Sequence, residues 1–339
     1  MNSELEKFQK VLSSGVDLSD SEAVEFFNAL QAETEDENLI AAALLAFEAK
    51  GATVEEFYAM AKLMRSRAVR VHSKHQTFVD IVGTGGSKAK IFNVSTAAAF
   101  VIAGAEIPVA KHGNRAATSS SGSADVLSEL GVNPAIEAAV AEKCLNEIGI
   151  CFMFAPKFHA LSPILGKVRR ELSVPTIFNN LGPLCNPANA PHQIIGVYRK
   201  DLVGKTAEVL AKLGTEKSWI VHGADGLDEI TLNGETFVAE IADGKVKSFE
   251  ISPADFGLKP TTFNFSRCSA ADSAKIISDI LQNNAADENA RNIVLINAAA
   301  AICITNQAED LKTAFAIAAE SLASGKALQK LRSLTEQTK

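Results

Sequence analysis

Residues 78–87 have the sequence FVDIVGTGGS, and the helix-capping sequence NVST follows at residues 93–96. Phe78–Val82 is a short apolar run of the kind that forms a buried strand. A glycine loop then leads to the apolar helical segment Ala97–Ala105. A strand, a glycine loop and a helix N-terminus can cradle a phosphate, because backbone N–H groups and the helix dipole attract anions. An ordinary βα turn is the alternative, and no GxGxxG or Walker motif is present to decide between them.

Short apolar runs alternate with helical patterns beyond this loop. Strand-like runs occur at Ile107–Ala110, Ile150–Phe154, Ile194–Val197 and Trp219–Val221. This alternation predicts strand–helix–strand units and a mostly parallel central sheet with helices around it.

The part of the chain after Asp228 has a different pattern. Apolar segments at Ile230–Leu232, Thr236–Ile241 and Lys245–Ile251 are separated by Asn-Gly and Asp-Gly pairs, which predicts a small antiparallel meander. From about residue 270 to the end, the pattern predicts three helices and a strand-like stretch near Ile293–Ile296.

The first 70 residues carry three helix-start signals. Ser19 with Glu22, Thr34 with Glu37, and Thr53 with Glu56 each match the capping box and precede an apolar pattern of helical period. No convincing strand occurs before Phe78. We therefore predict an α/β protein with a small N-terminal all-helical domain, residues 1–70, and a larger α/β domain, residues 71–339.

Composition excludes several classes of protein. The 339 residues include 33 Lys and Arg against 40 Asp and Glu, a net charge of −7, which disfavours a dedicated nucleic-acid or anionic-membrane binder. The five cysteines are odd in number, show no CxxC spacing and fit a reducing compartment. The acidic N-terminus does not resemble a targeting peptide, so we expect a cytoplasmic protein.

Three further segments carry polar groups suited to a ligand. Residues 111–115, KHGNR, end a predicted strand and precede a run of hydroxyls, so they can form a second anion cradle or a flexible polar loop. Asp228 and Glu229 suit a hard cation such as Mg²⁺, although such a pair by itself is usually a solvated turn. Arg169 can bind a planar carboxylate, with a surface Arg–Glu pair as the alternative.

In their order and spacing, these segments resemble the anthranilate phosphoribosyltransferase family over nearly the whole chain. The resemblance includes residues 49–56, the Gly83 loop, KHGNR at 111–115, residues 121–127, residues 178–187 and GLDE at 226–229. It implies a helical domain joined by a segment near residues 160–190, and a homodimer formed through that domain. It also implies Mg²⁺-dependent transfer of the phosphoribosyl group of phosphoribosyl pyrophosphate (PRPP) to anthranilate, in tryptophan biosynthesis.

The resemblance also implies roles for particular residues. Positions that bind PRPP would be Gly83, Gly86, Ser87, Ile91, Asn93, Val94, Ser95, Thr96, Lys111, His112, Gly113, Asn114, Arg115, Ala116, Ala117, Thr118, Ser119 and Ser123. Gly83, Asn114 and Arg169 would contact anthranilate. Ser95, Asp228 and Glu229 would hold two Mg²⁺ ions, and no residue would act as a catalytic acid or base.

The chain departs from the family pattern near the glycine loop. Ser87 and Ile91 stand where the family usually has Asp and Thr, and Ala116 and Ala160 replace a common Ser and Pro. We expect Ser87→Asp to change the magnesium optimum more than the KM for anthranilate. A pyrimidine nucleoside phosphorylase of the same fold and a non-catalytic nucleic-acid-binding relative are the alternative functions. Association with a glutamine amidotransferase subunit is a further possible partnership.

Overall fold

The computed structural model describes residues 4–32, 36–85, 92–116, 121–261 and 268–339. A helical N-terminal region precedes a larger α/β region that is built on one seven-stranded sheet. The predicted fold class is therefore confirmed.

Four helices form the N-terminal region: α1 Glu4–Ser13, α2 Asp20–Ala29, α3 Glu37–Lys50 and α4 Val54–Arg67. The capping boxes predicted at Ser19 and Thr53 are both present. The start of α3 differs from the prediction, because Asp36 is its N-cap and accepts a hydrogen bond from the Asn38 N–H. Thr34 lies outside the described residues.

The sheet is parallel over five of its strands. The strands are β1 Val79–Gly83, β2 Val109–Gly113, β3 Ile150–Phe154, β4 His192–Gly196, β5 Lys217–Gly223, β6 Thr236–Ala242 and β7 Lys245–Ile251, in the spatial order β3-β2-β1-β4-β5-β6-β7. Strands β1 to β5 pair in parallel, whereas β6 and β7 pair antiparallel. The chain runs outward from β1 in one direction and then returns to β4 on its other side. The ends of β1 and β4 therefore mark the switch point at which open sheets bind ligands.

The predicted antiparallel pairing of Thr236–Ile241 with Lys245–Ile251 is confirmed, since these segments are β6 and β7, but the predicted meander differs from the structure in two respects. Strands β6 and β7 extend the main sheet, with β6 paired to β5 from Lys217 opposite Ala242 to Gly223 opposite Thr236. Ile230–Leu232 is a loop, in which the Thr231 N–H donates to the Thr236 hydroxyl rather than to a neighbouring strand.

Helices account for most of the remaining chain. They are α5 Val94–Gly104, α6 Ser123–Glu129, α7 Ala138–Ile148, α8 Ala155–Phe158, α9 Pro163–Leu172, α10 Ile177–Leu184, α11 Leu202–Leu213, α12 Ala270–Leu281, α13 Glu288–Ile304, α14 Leu311–Ala323 and α15 Lys326–Gln337. The described C-terminal region thus contains four helices, where three were predicted. The prediction of a strand-like stretch at Ile293–Ile296 was also wrong, because these residues lie within α13. That helix is buried nearly all round, so its sequence lacks the alternation of an amphipathic helix.

Two apolar cores cover the two faces of the sheet. Ile194 and Ile195 are neighbours on β4, yet the first packs with α5 and α13 and the second with the N-terminal helices and α11. Helices α9 and α10 also contribute to the second core, through Leu165, Val168 and Leu181. None of the helices in the described ranges is long and apolar enough to span a bilayer.

Candidate active site

One cavity lies where the carboxyl ends of β1 and β2 meet the loop after β5 and the segment α8–α10. The predicted residues that line it are Gly83, Asn93, Ser95, Lys111, His112, Gly113, Asn114, Arg115, Ala116, Ser123, Arg169, Asp228 and Glu229. The sequence therefore identified groups from five separate parts of the chain that the fold brings to one place.

Two predicted residues do not line this cavity. Val94 and Thr96 are buried in the first turn of α5, and the Thr96 hydroxyl has no hydrogen-bond partner within the described ranges. Gly86, Ser87, Ile91, Ala117, Thr118 and Ser119 lie outside the described residues. Residues that received no individual role also contribute to the lining, among them Phe178, Asn179, Gly182 and Pro183 of α10.

The glycines of β1 and β4 make room for Asp228. A Cβ atom on Gly83 would lie 2.8 Å from the Asp228 Oδ2 atom, and one on Gly196 would lie 1.7 Å from its backbone oxygen. The Gly85 N–H donates to the same carboxylate at 3.2 Å. Part of this glycine pattern therefore serves to seat an acidic residue at the edge of the cavity.

Lys111 supplies a buried cation at the cavity wall. Its side chain is 3% exposed, and its Nζ atom donates to the Ile81 carbonyl and, at 3.3 Å, to the Ser95 hydroxyl. Its charge lies close to that of Asp80 on β1, which is fully buried behind the cavity. Burial raises the pKa of Asp80 to about 6, and the Lys111 cation partly opposes that rise.

Asn93 links the glycine loop to two other segments. Its side-chain oxygen accepts hydrogen bonds from Ser121 at 2.8 Å and from Ser273 at 3.0 Å, and its N–H donates to Ser273 at 2.9 Å. Asn93 is the N-cap residue of α5, which begins at Val94 rather than at Ala97 as predicted, but its side chain makes no capping hydrogen bond. Its side chain instead fixes the position of the loop relative to α6 and α12.

The second predicted cradle closes through Asp125. One oxygen of this carboxylate pairs with Arg115 at 2.9 Å, and the other accepts from the Ala116 and Gly122 N–H groups. Residues 114–116 and the start of α6 are thereby held together at the cavity. The described part of this segment is therefore an ordered loop fixed by hydrogen bonds.

Arg169, Phe178 and His112 also line the cavity. The Arg169 guanidinium lies 5.0 Å from the Phe178 ring, and its buried Nε atom has no partner in the described part of the chain. Burial lowers the pKa of Arg169 to about 10, which leaves it protonated at neutral pH. The sequence also allowed a surface ion pair between Arg169 and Glu171. In the structure the Glu171 carboxylate instead lies 3.9 Å from the Lys167 ammonium group.

His112 lines the cavity and is neutral, as is His159, which packs beside it outside the lining. The His112 and His159 rings meet edge to face with their centroids 5.0 Å apart. Burial lowers both pKa values, that of His159 to about 4, and the His112 Nδ1 atom donates to the Gly182 carbonyl at 3.1 Å. The Arg169 cation beside the flat Phe178 ring suits an aromatic carboxylate.

The donor set for a metal is small and consists of oxygen atoms. Ser95, Asp228 and Glu229 line the same cavity. No group of three or more His, Cys, Asp or Glu side chains arranged for a metal occurs in the described ranges. Two carboxylates and a hydroxyl fit Mg²⁺, which commonly binds one or two carboxylates and completes its coordination with phosphates and water.

Two family models match the chain. The helical bundle domain of a glycosyl transferase family matches residues 8–68, and the a/b domain of that family matches residues 75–328. Anthranilate phosphoribosyltransferase of Clostridium kluyveri is 45% identical over 322 residues, which cover 95% of this chain and 96% of that protein. The enzyme of the same name from Rhodopseudomonas palustris is 44% identical over 337 residues and covers 95% of each chain.

Solved structures show the same similarity over the whole length. Anthranilate phosphoribosyltransferase of Thermus thermophilus superposes with a TM-score of 0.88 at 34% identity, covering 98% of this chain and 99% of that one. The Saccharomyces cerevisiae enzyme, solved in complex with PRPP and Mg, also has a TM-score of 0.88, at 28% identity, and covers 100% of this chain and 98% of that one.

Proposed function

The chain belongs to the anthranilate phosphoribosyltransferase family, and from this premise we propose that it transfers the phosphoribosyl group of PRPP to the amine of anthranilate. The products are N-(5-phosphoribosyl)anthranilate and pyrophosphate, and the reaction belongs to tryptophan biosynthesis. The observation that carries this proposal is the cavity itself, which brings together an oxygen-donor pair, Asp228 and Glu229, a buried cation, Lys111, and Arg169.

The acidic side of the cavity is proposed to bind PRPP. Mg²⁺, when bound by Ser95, Asp228 and Glu229, would neutralise the charge of the pyrophosphate leaving group, and two ions fit the family pattern. Asn93, Lys111 and the residues 113–116 would hold the remaining phosphate and ribose groups through N–H and ammonium donors. These donors are fixed before the substrate binds, which favours stabilisation of developing charge.

The part of the cavity lined by Arg169 is proposed to orient anthranilate. Arg169 would bind its carboxylate, Asn114 would contact it from the β2 end, and Gly83 would lie between the two substrates. An aromatic amine is neutral at pH 7 and needs little help from a base, so orientation against the ribose carbon is the main contribution of these residues. We assign no catalytic acid or base.

We also propose a homodimer formed through the helical domain. Helix α3 is apolar around nearly its whole circumference, with Leu44 buried inside and Leu45 45% exposed on the outside. A helix with two apolar faces requires a second covering surface. The helical domain would comprise residues 1–70 and the segment near 160–190, since Lys167 pairs with Glu37 at 2.8 Å and α9 and α10 share the core of α3.

The cellular setting remains part of the proposal. We propose a cytoplasmic enzyme, in keeping with an odd number of cysteines, five, of which Cys144, Cys151 and Cys185 are buried. An association with a glutamine amidotransferase subunit that supplies anthranilate would place the enzyme beside its substrate source.

The test of the proposed reaction is the loss of free anthranilate fluorescence. We expect consumption only when protein, PRPP and Mg²⁺ are all present. Phosphorolysis of thymidine or uridine without Mg²⁺ would instead support the phosphorylase alternative. Salt-sensitive DNA binding without PRPP binding would support the nucleic-acid-binding alternative.

A further inference from the structure

We propose that Asn297, on the buried helix α13, is a positioning residue that fixes the Asp228-Glu229 pair in its metal-binding position. The inference rests on the proposed function, because it assigns a role to Asn297 in the metal use of that same site. Asn297 does not line the cavity, and its side chain would act through the backbone of Ile230.

The Asn297 side-chain amide binds both backbone groups of a single residue, Ile230. The Ile230 N–H donates to the Asn297 Oδ1 atom at 3.0 Å, and the Asn297 Nδ2 atom donates to the Ile230 carbonyl at 3.0 Å. The second Nδ2 proton goes to the Ile293 carbonyl on the same helix at 2.8 Å. The side chain is fully buried, so all three hydrogen bonds are shielded from water. Both the N–H and the C=O of Ile230 are therefore fixed by Asn297. Because Ile230 directly follows Glu229, this also restricts the backbone of Glu229.

The loop is fixed from its other side as well. Asp228 packs against Gly83 and Gly196 so closely that a Cβ atom on either glycine would contact it. Earlier in the loop, the Asp225 carboxylate accepts hydrogen bonds from the Thr231 hydroxyl at 2.6 Å and from the Asn233 amide at 3.0 Å. Glu229 thus lies between a residue seated by glycines and a residue clamped by Asn297.

The surroundings of Asn297 favour a specific role for its amide. Nearly all buried residues of α13 are apolar, including Leu295, Ile296 and Ala298 on either side of it. A buried amide costs free energy unless its hydrogen bonds are made, and an apolar residue would pack in this helix without that requirement. The polar group is therefore placed where it reaches the loop. Outer residues of this kind orient the metal ligands, and their loss typically lowers metal affinity about 10- to 100-fold.

The test compares Asn297→Leu with the wild-type enzyme. Leu retains the branched shape and the number of side-chain heavy atoms and removes all three hydrogen bonds. Mn²⁺ replaces Mg²⁺ as a paramagnetic probe, and its binding in the presence of PRPP is followed by electron paramagnetic resonance. We expect the apparent Kd for Mn²⁺ to rise at least about tenfold, while the KM for anthranilate at saturating metal changes less than about threefold.

Ser321→Ala is the matched control. The Ser321 hydroxyl is buried and donates to the Val101 carbonyl at 2.7 Å, so the variant loses a buried hydrogen bond of similar kind at a position that does not line the cavity. We expect it to lose thermal stability while its Mn²⁺ affinity remains that of the wild type. If Asn297→Leu does not fold, Asn297→Ser is used, whose hydroxyl is too short to span both groups of Ile230, and a rise of about threefold is expected.

The outcomes separate the two proposals. Unchanged Mn²⁺ affinity in the folded Asn297 variant, with normal binding by the wild type, would overturn the role of Asn297 and leave the proposed function standing. A wild-type protein that binds no Mn²⁺ with PRPP and consumes no anthranilate would overturn both. An equal loss of Mn²⁺ affinity in Ser321→Ala would also overturn the inference, because the effect would then follow general stability.

Discussion

The Asp80 carboxylate accepts a hydrogen bond from the Asn186 side-chain amide at 2.7 Å, although the two residues are 106 positions apart in the chain. The same carboxylate accepts the His112 N–H at 3.2 Å, and Asn186 also donates to the Ala110 carbonyl at 2.9 Å. Strands β1 and β2 and the segment after α10 are thus joined directly behind the cavity. These hydrogen bonds fix the position of β2 and therefore the positions of Lys111 and His112 in the cavity.

This joint should make stability depend on pH in a particular direction. Burial raises the pKa of Asp80 from 3.8 in the unfolded chain to about 6, so the native state binds the proton more strongly. The stability contributed by protonated Asp80 is complete below pH 4 and is lost as the pH rises through 6. In Asp80→Asn this loss is absent. The wild type should therefore lose on the order of 3 kcal/mol relative to the variant between pH 4 and pH 7.

Urea denaturation of both proteins across that pH range measures this effect. A difference in unfolding free energy that stays constant with pH would show that Asp80 does not titrate as stated. A wild type that becomes more stable relative to Asp80→Asn as the pH rises would reverse the sign and contradict the assignment of burial as the dominant cause.

Arg169→Lys should impair anthranilate binding specifically. Lysine retains the charge but lacks the planar fork that binds a carboxylate through two hydrogen bonds and stacks on Phe178. We expect the KM for anthranilate to rise at least about tenfold, or about 1.4 kcal/mol, with the KM for PRPP changed less than about twofold. Steady-state kinetics with each substrate varied in turn checks this, and equal changes in both KM values would argue against a carboxylate-binding role.

Gly83→Ala should weaken the use of magnesium. The added methyl group would meet the Asp228 Oδ2 atom at 2.8 Å and force the carboxylate to move. We expect a stability loss of about 1–3 kcal/mol and a clear rise in the Mg²⁺ concentration needed for half-maximal activity. Gly204→Ala on α11 is the matched control, because nothing lies within 4 Å of its Cβ position. A magnesium profile that is the same in both variants would count against the seating of Asp228 by Gly83.

Leu45→Glu should dissociate the proposed homodimer. A charge placed on the exposed apolar face of α3 would be buried without a partner in the assembled interface, which costs several kcal/mol. Light scattering after size exclusion should give about half the mass of the wild type. Val246→Glu, on strand β7 and 38% exposed, is the control and should not change the mass. A monomeric wild type, or an unaltered dimer in the Leu45 variant, would contradict the proposed interface.

The parts of the fold that depend on neighbouring residues were predictable from the sequence. The capping boxes at Ser19 and Thr53 each span only four consecutive residues, and the strand Ile150–Phe154 is bounded by the same residues in the structure. The errors arose where local pattern is uninformative. Ile293–Ile296 is apolar because α13 is buried almost completely, and this removes the period that distinguishes a helix from a strand.

The residues that support the site carried no local signal. Asn297 reaches Ile230 across 67 positions, and Ser273 reaches Asn93 across 180. Each is one polar residue in an ordinary helical sequence. Only the folded structure shows which distant backbone or side-chain group it binds. The lining residues were easier to predict, because strand ends and glycine loops place them there by general rules of α/β sheets.

The most direct test of the proposed reaction is a magnesium titration that follows anthranilate loss and pyrophosphate release together. Glu229→Gln is compared with Glu235→Gln, whose side chain is exposed at the far end of the same loop. The wild type and the Glu235 variant should release one pyrophosphate per anthranilate consumed, only with PRPP and Mg²⁺, while the rate in Glu229→Gln falls at least about 100-fold. Consumption that needs no Mg²⁺, or that survives equally in Glu229→Gln, would contradict the account.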